Sequence, residues 1–161
     1  MSTLRWILVA VAVLVLGVWL AGRFGALRGQ PPADLGVREG RLKPPARTPN
    51  SVSSQAELHP QHPMLEYARI AALPASGGAA ASLARVRAVV ERLPGATVVE
   101  QRDDYLYAQF ETPAMRFVDD VEFWYDPAAQ AIAVRSASRI GRKDFGVNRA
   151  RIEAIRGQLL H

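Results

Sequence analysis

Phe117-Val-Asp-Asp-Val-Glu-Phe-Trp-Tyr-Asp-Pro-Ala-Ala-Gln-Ala-Ile-Ala-Val-Arg-Ser-Ala-Ser138 reads as two strands around one tight turn. Asp126-Pro-Ala-Ala-Gln130 supplies the turn, because proline presets φ and aspartate bonds to the backbone that follows it. If Asp126 and Ala131 flank that turn, Glu122 falls opposite Arg135 and Phe123 opposite Val134. One face then gains a charge pair while the other stays apolar, so a single register accounts for both patterns.

Upstream, Thr97 to Gln101 and Tyr105 to Thr112 read as two further strands, followed by Phe117 to Tyr125 and Ala131 to Ser138. The connections Arg102-Asp-Asp104 and Pro113-Ala-Met115 are too short for a crossover, which implies an antiparallel meander. Helical spacing appears on either side. Leu83, Val86, Val90 and Leu93 form one apolar stripe ended by Pro94-Gly95, and Asn148, Ile152, Ile155 and Leu159 share a side of a helix from about Val147 to Leu160. Met64 to Leu73 reads as a short helix stopped by Pro74 and Ser76-Gly77-Gly78. The expected fold class is α+β: a four-stranded antiparallel sheet with helices packed on one face, preceded by a single N-terminal transmembrane helix.

The chain has 161 residues, 49% hydrophobic and 22% charged, with a mean hydropathy near zero, which fits one compact domain with appendages. It contains no cysteine, excluding a disulfide scaffold, a thiolate zinc site and cysteine nucleophiles. Seventeen uncharged residues, Trp6 to Gly22, lie between Arg5 and Arg23. At about 1.5 Å per residue they cover roughly 26 Å of a bilayer core about 30 Å thick, and snorkelling by Arg23 lets Phe24 to Leu27 complete the span. No convincing cleavage site follows, so an uncleaved anchor is favoured over a signal peptide. Seven of the eleven prolines fall between Gly25 and Pro63 and no apolar periodicity survives there, so this stretch reads as an extended tether. The expected organisation is an anchor or signal segment at 1–27, a proline-rich tether at 28–63 and a folded domain at 64–161. Counting Arg5 and the α-amino group against Arg23, Arg28 and Arg38 puts the domain in the cytoplasm. The very short N-terminal arm and the stalk-like segment favour the opposite: an inner-membrane, single-pass protein with a periplasmic domain.

Charge divides along the domain. Ala96 to Gln130 holds eight acids and two arginines, a balance of −6, whereas Ala131 onward holds seven bases and two acids, a balance of +5. Arg135 to Arg149 runs from a strand through a glycine-containing loop into a helix, and Arg135, Ser136, Ser138, Arg139, Asn148 and Arg149 are the parts of an anion site. Asp144 could equally cap that helix, and Arg139 could satisfy Asp119 and Asp120. Asp119, Asp120 and Glu122 are the acidic partners, or in an enzyme the acid and base, with Arg135 and Arg139 stabilising an anionic intermediate. No metal site is expected, since Asp119-Asp120-x-Glu122 has no third ligand nearby and His59-Pro-Gln-His62 sits in the proline-bearing stretch. A serine hydrolase lacks a nucleophile elbow, and its only bases are His59, His62 and His161. No cofactor is expected. Despite a sequence pI near 10.2, nucleic acid is not expected either, because of the anchor and the acidic hairpins. The expected partners are the membrane, through residues 6–27, and an anionic ligand, lipid headgroup or envelope protein.

Asp104-Tyr-Leu-Tyr-Ala-Gln109, Phe117 to Phe123, Val134-Arg-Ser-Ala-Ser-Arg139 and Gly146-Val-Asn-Arg149 with Ile152-Glu153 together resemble the domain-of-unknown-function 1499 family. The resemblance covers roughly Pro49 to Leu160 and includes an opening motif, Asn50-x-Val-Ser-Ser54. Many members carry cysteine where this chain has Ser51, which removes any thiol role here. The resemblance implies a small membrane-anchored or exported protein and no particular chemistry. Replacing Leu14 and Val15 with arginine is expected to abolish insertion, each central charge costing about 2.5–3.5 kcal/mol. Carbonate extraction should leave the wild type with the membrane and release the variant.

Overall fold

The computed structural model describes residues 2–160. Helix α1 (Ser2–Arg23) is long and apolar enough to cross a membrane, and none of its apolar window is buried in protein. A signal sequence would share that length and composition. The folded domain then runs β1 (Ser51–Ser53), a 3₁₀ turn (Ala56–Leu58), α2 (Leu65–Ala68), β2 (Leu73–Pro74), α3 (Gly78–Val90), β3 (Ala96–Gln101), β4 (Tyr105–Glu111), β5 (Val118–Asp126), β6 (Ala131–Ser138) and α4 (Val147–Leu159).

The long strands form the expected antiparallel meander, β6-β5-β4-β3. Glu122 pairs with Arg135 and Phe123 with Val134, the register set by the Asp126–Ala131 turn. The sheet nonetheless has six strands, because β1 and β2 both pair antiparallel with the outer edge of β6. Strands of three and two residues are too short to display a period of two, and Pro74 makes β2 look like a terminator. These two strands cover an edge that would otherwise template aggregation. The opposite edge, β3, is broken by an irregularity between Val98 and Glu100. The helix expected over Met64 to Leu73 is a single turn, since Arg69 leaves it with extended backbone and the chain continues into β2.

One face of the sheet carries Leu106, Ala108, Phe110, Val121, Phe123, Ile132 and Val134. Both long helices close it, α3 with Leu83, Val86 and Val90 and α4 with Ile152, Ile155 and Leu159, the stripes that the helical spacing predicted. The other face is not bare. Leu42, only 3% exposed, packs with Tyr105, Tyr107, Trp124 and Ala133, and Leu35 and Val37 extend this second cluster. Residues 34–53, which lie wholly within the stretch 28–63 read as an extended tether, instead form a strap across the sheet. Its apolar residues, Leu35, Val37, Leu42 and Val52, fall at irregular intervals, so the strap shows no periodicity for sequence reading to detect. Its backbone is pinned by side chains: Gln55 Oε1 accepts from Leu42 N (2.8 Å), Ser51 Oγ from Ala46 N (2.7 Å) and Glu122 Oε1 from Gly36 N (2.7 Å).

Leu42→Ala is expected to destabilise the domain by about 2–5 kcal/mol, the usual cost of emptying a buried leucine site. A denaturant titration of the full chain in mild detergent measures it. A midpoint equal to that of the wild type would mean that residues 34–53 do not hold the sheet.

Candidate functional site

Strand β5 turns Asp119 toward the helices and Asp120 and Glu122 toward the strap, since successive residues alternate faces. All three carboxylates are buried, and each meets an arginine. On the helix face, Arg151 Nη2 donates to Asp119 Oδ2 (2.5 Å) while its guanidinium lies 4.6 Å from the centre of the Phe110 ring. Arg151 Nη1 also donates to Asn148 Oδ1 (2.9 Å) and Ser136 Oγ (3.0 Å). Asn148 Nδ2 in turn donates to Asp144 Oδ2 (2.8 Å), Ser138 Oγ (3.0 Å) and Asn50 O (3.2 Å). This network locks the start of α4 to β6 and β1.

Asp144 completes the helix start. Its carboxylate accepts from Gly146 N (3.0 Å), Asn148 N (3.2 Å) and the Tyr67 hydroxyl, so its role is that of a cap. Burial alone would raise the Asp144 carboxyl; the bonds from Tyr67, Gly146 and Asn148 outweigh it and hold the group below the usual carboxylate range. Burial and the facing Asp144 together push the Tyr67 hydroxyl up to about 12.

On the strap face, Arg139 grips Asp120 with Nε (2.9 Å) and Nη2 (2.7 Å), and Tyr107 donates its hydroxyl to the same carboxylate (2.5 Å). Asp120 keeps Arg139 more firmly protonated than usual. Glu122 accepts from Tyr105 Oη (2.9 Å) and Gly36 N, while Arg135 Nη1 stands 3.6 Å from Glu122 Oε2 with no hydrogen bond. Burial raises Glu122 above its ordinary value, against the opposing pull of Gly36, Arg135 and Tyr105, and it lowers Arg135. Arg135 Nε donates to Pro44 O (3.2 Å), tying the strap to β6.

The sheet therefore divides the six residues read as one anion site. Ser136, Ser138 and Asn148 belong to the helix-face network, Arg135 and Arg139 to the strap face, and Arg149 donates to Tyr67 O (2.6 Å) on the outside of α4. Their closeness in sequence hid the alternation of β6. Of the three carboxylates named for an acid–base role, Asp119 and Asp120 are hydrogen-bonded by Arg151 and Arg139, whereas Glu122 is held by Tyr105 and Gly36 with Arg135 3.6 Å away. His62 Nδ1 accepts from Met64 N (3.2 Å), a local turn contact, and His161 lies outside the described residues. Sequence reading missed Arg151, although it follows Asn148 by one helical turn, and Tyr105 and Tyr107, whose alternation with Leu106 and Ala108 marks them as facing away from the helices.

What remains open is a recess of about 470 Å³ between the strap and the outer end of β6. Its walls carry Lys43, Arg47, Arg135 and Arg139 against one carboxylate, Asp120, and Gln30 and Pro32 stand at its margin. Lys43 is paired with Asp34 (2.5 Å), Arg135 with Glu122 and Arg139 with Asp120. Among the described residues, Arg47 has no such partner. It is exposed.

A family profile described as a protein of unknown function (DUF1499) matches residues 41–159. The chain belongs to the DUF1499 family. The match begins inside the strap, so most of the strap that covers the recess lies within the DUF1499 unit. The motif Asn50 to Ser54 is explained by the backbone it secures: Asn50 Nδ2 donates to Gly141 O (2.8 Å), Ser51 takes the Ala46 amide and Ser54 Oγ takes Val134 N (2.9 Å). No curated protein and no solved structure matches the chain.

Glu122 supplies a pH signature. A carboxyl raised in the folded state binds its proton more tightly there than in the unfolded chain. Its stabilising contribution is complete below the ordinary value of 4.5 and is lost as pH rises through the raised value. Urea midpoints measured across that window should fall with pH in the wild type, and Glu122→Gln should flatten the slope. An unchanged slope would place the proton elsewhere.

Proposed function

We propose that this DUF1499 protein is a membrane-anchored binding module whose strap-covered recess takes an anionic ligand. Helix α1 stays uncleaved as a single-pass anchor in the inner membrane, and the domain stands on its periplasmic side. The observation that carries the binding reading is the recess itself: Lys43, Arg47, Arg135 and Arg139 line a concave site with one carboxylate, Asp120, and Arg47 is exposed with no carboxylate partner among the described residues. Arginine forks suit phosphate or carboxylate groups. The buried pairs behind them fix the guanidinium positions, so little side-chain freedom is lost on binding. A membrane anchor then confines recognition to ligands near one surface.

Inorganic phosphate titrated onto the full chain in neutral detergent tests the site directly. A charge-assisted hydrogen bond contributes about 1.5–3 kcal/mol, so Arg47→Ala should weaken phosphate binding by about tenfold or more while leaving the unfolding midpoint unchanged. Equal binding by both proteins, or none by the wild type, would overturn the reading.

A further inference from the structure

The end of α1 is built into the domain. Gly22 is buried, and a Cβ there would stand 3.0 Å from Met115 O, so the helix runs against the backbone of the β4–β5 turn. Arg116 Nη1 donates to Arg23 O (3.2 Å), satisfying a carbonyl at the helix end. Glu111 receives Arg28 (3.2 Å) and Arg116 (2.8 Å) from the two sides of the junction. Next, Gly29 has φ +67°, and a Cβ there would meet Arg139 Cβ and Ile140 Cγ2, each at 2.9 Å. Only glycine fits that approach. Arg139 is a wall of the recess, and Gln30 is at its margin.

The anchor thus reaches the recess through a short, folded connection. Backbone bonds from Ala26 N to Ala21 O (2.9 Å) and from Arg28 N to Gly25 O (3.1 Å) turn the chain back on itself just after the helix. A bilayer core of about 30 Å within a total of about 40–45 Å leaves headgroup layers of roughly 5–8 Å on each side. Trp19, Phe24 and Phe117 are exposed around the helix end, with Arg23 between them, the mixture that settles at a membrane interface. Such an arrangement holds the recess beside the headgroups and excludes free swinging on a stalk.

We infer that the ligand of the recess is the phosphate of an anionic lipid in the membrane that holds α1. The inference rests on the anion-binding reading of the same recess and adds the source of the anion. Lipid phosphate and free phosphate share the chemistry that Arg47, Arg135 and Arg139 recognise. Only the lipid requires the α1 junction to be intact.

The test places the full chain in nanodiscs of phosphatidylcholine with a minor fraction of phosphatidylglycerol. Native mass spectrometry counts the lipids retained, and phosphorus NMR of the same samples follows inorganic phosphate. The wild type should retain phosphatidylglycerol preferentially, and Arg47→Glu should lower that retention by about tenfold, one charge-assisted contact. Gly22→Leu, which wedges α1 from Met115, should lose the lipid yet bind inorganic phosphate like the wild type. Arg116→Asn, which removes the Arg23 contact but tolerates the φ of 57° at that position, should do the same and serves if Gly22→Leu does not fold. Retention of both lipids in bulk proportion by the wild type, or full retention by the junction variants, would overturn the lipid inference while phosphate binding upheld the anion site. Absence of both signals would overturn both.

Discussion

Asp119, Asp120 and Glu122 enter the interior on one central strand, and a buried carboxylate left alone costs several kcal/mol. Much of the rest of the molecule follows from supplying three cations in three places. Asp119 needs Arg151, which is available only if α4 packs with its first turns over β6. Asp120 needs Arg139, the residue just beyond the end of β6. Glu122 faces Arg135 on the neighbouring strand but is sealed from water only when the strap brings Gly36, Pro44 and Leu42 across the sheet. The strap, the helix start and the turn after β6 are thus held by one set of charges.

This arrangement separates two jobs that the sequence runs together. The helix-face network of Asn148, Ser136, Ser138, Asp144 and Arg151 joins its members by hydrogen bonds and leaves none of their fully buried side-chain polar atoms without a partner. It fixes the start of α4. The strap face also pairs its charges, except that Arg47, exposed in the wall of the recess, has no carboxylate partner among the described residues. Glu122 Oε2 and Arg135 Nη1 are buried there without a hydrogen bond, an arrangement that is costly to maintain. The anchor junction ends beside the recess.

Much of the fold was legible because its signals are periodic. The Asp126–Ala131 turn fixed the β5–β6 register, and the apolar spacing of α3 and α4 named the residues that later proved buried. The strap, β1 and β2 were not legible. Their positions depend on single contacts, such as Leu42 on Trp124 or Ser54 on Val134, and a contact between distant segments leaves no local pattern. The candidate site was half legible: the arginines of the recess wall at 135 and 139 were named, while Lys43 and Arg47 sat in a stretch that reads as linker.

The sequence by itself determined the apolar N-terminal helix, the antiparallel meander and the buried faces of α3 and α4, because each follows from local spacing, and its motifs from Asn50 to Glu153 carried the resemblance to DUF1499. Only the tertiary structure decided which carboxylate meets which arginine and on which side of the sheet. Residues 135, 136, 138 and 139 are neighbours in the chain, but side chains on a strand alternate across it, and a sheet covered on both faces keeps the two sides apart. Only the fold, too, turned the proline-rich segment from a spacer into a wall, since proline fixes the backbone of a chain without specifying what it lies against.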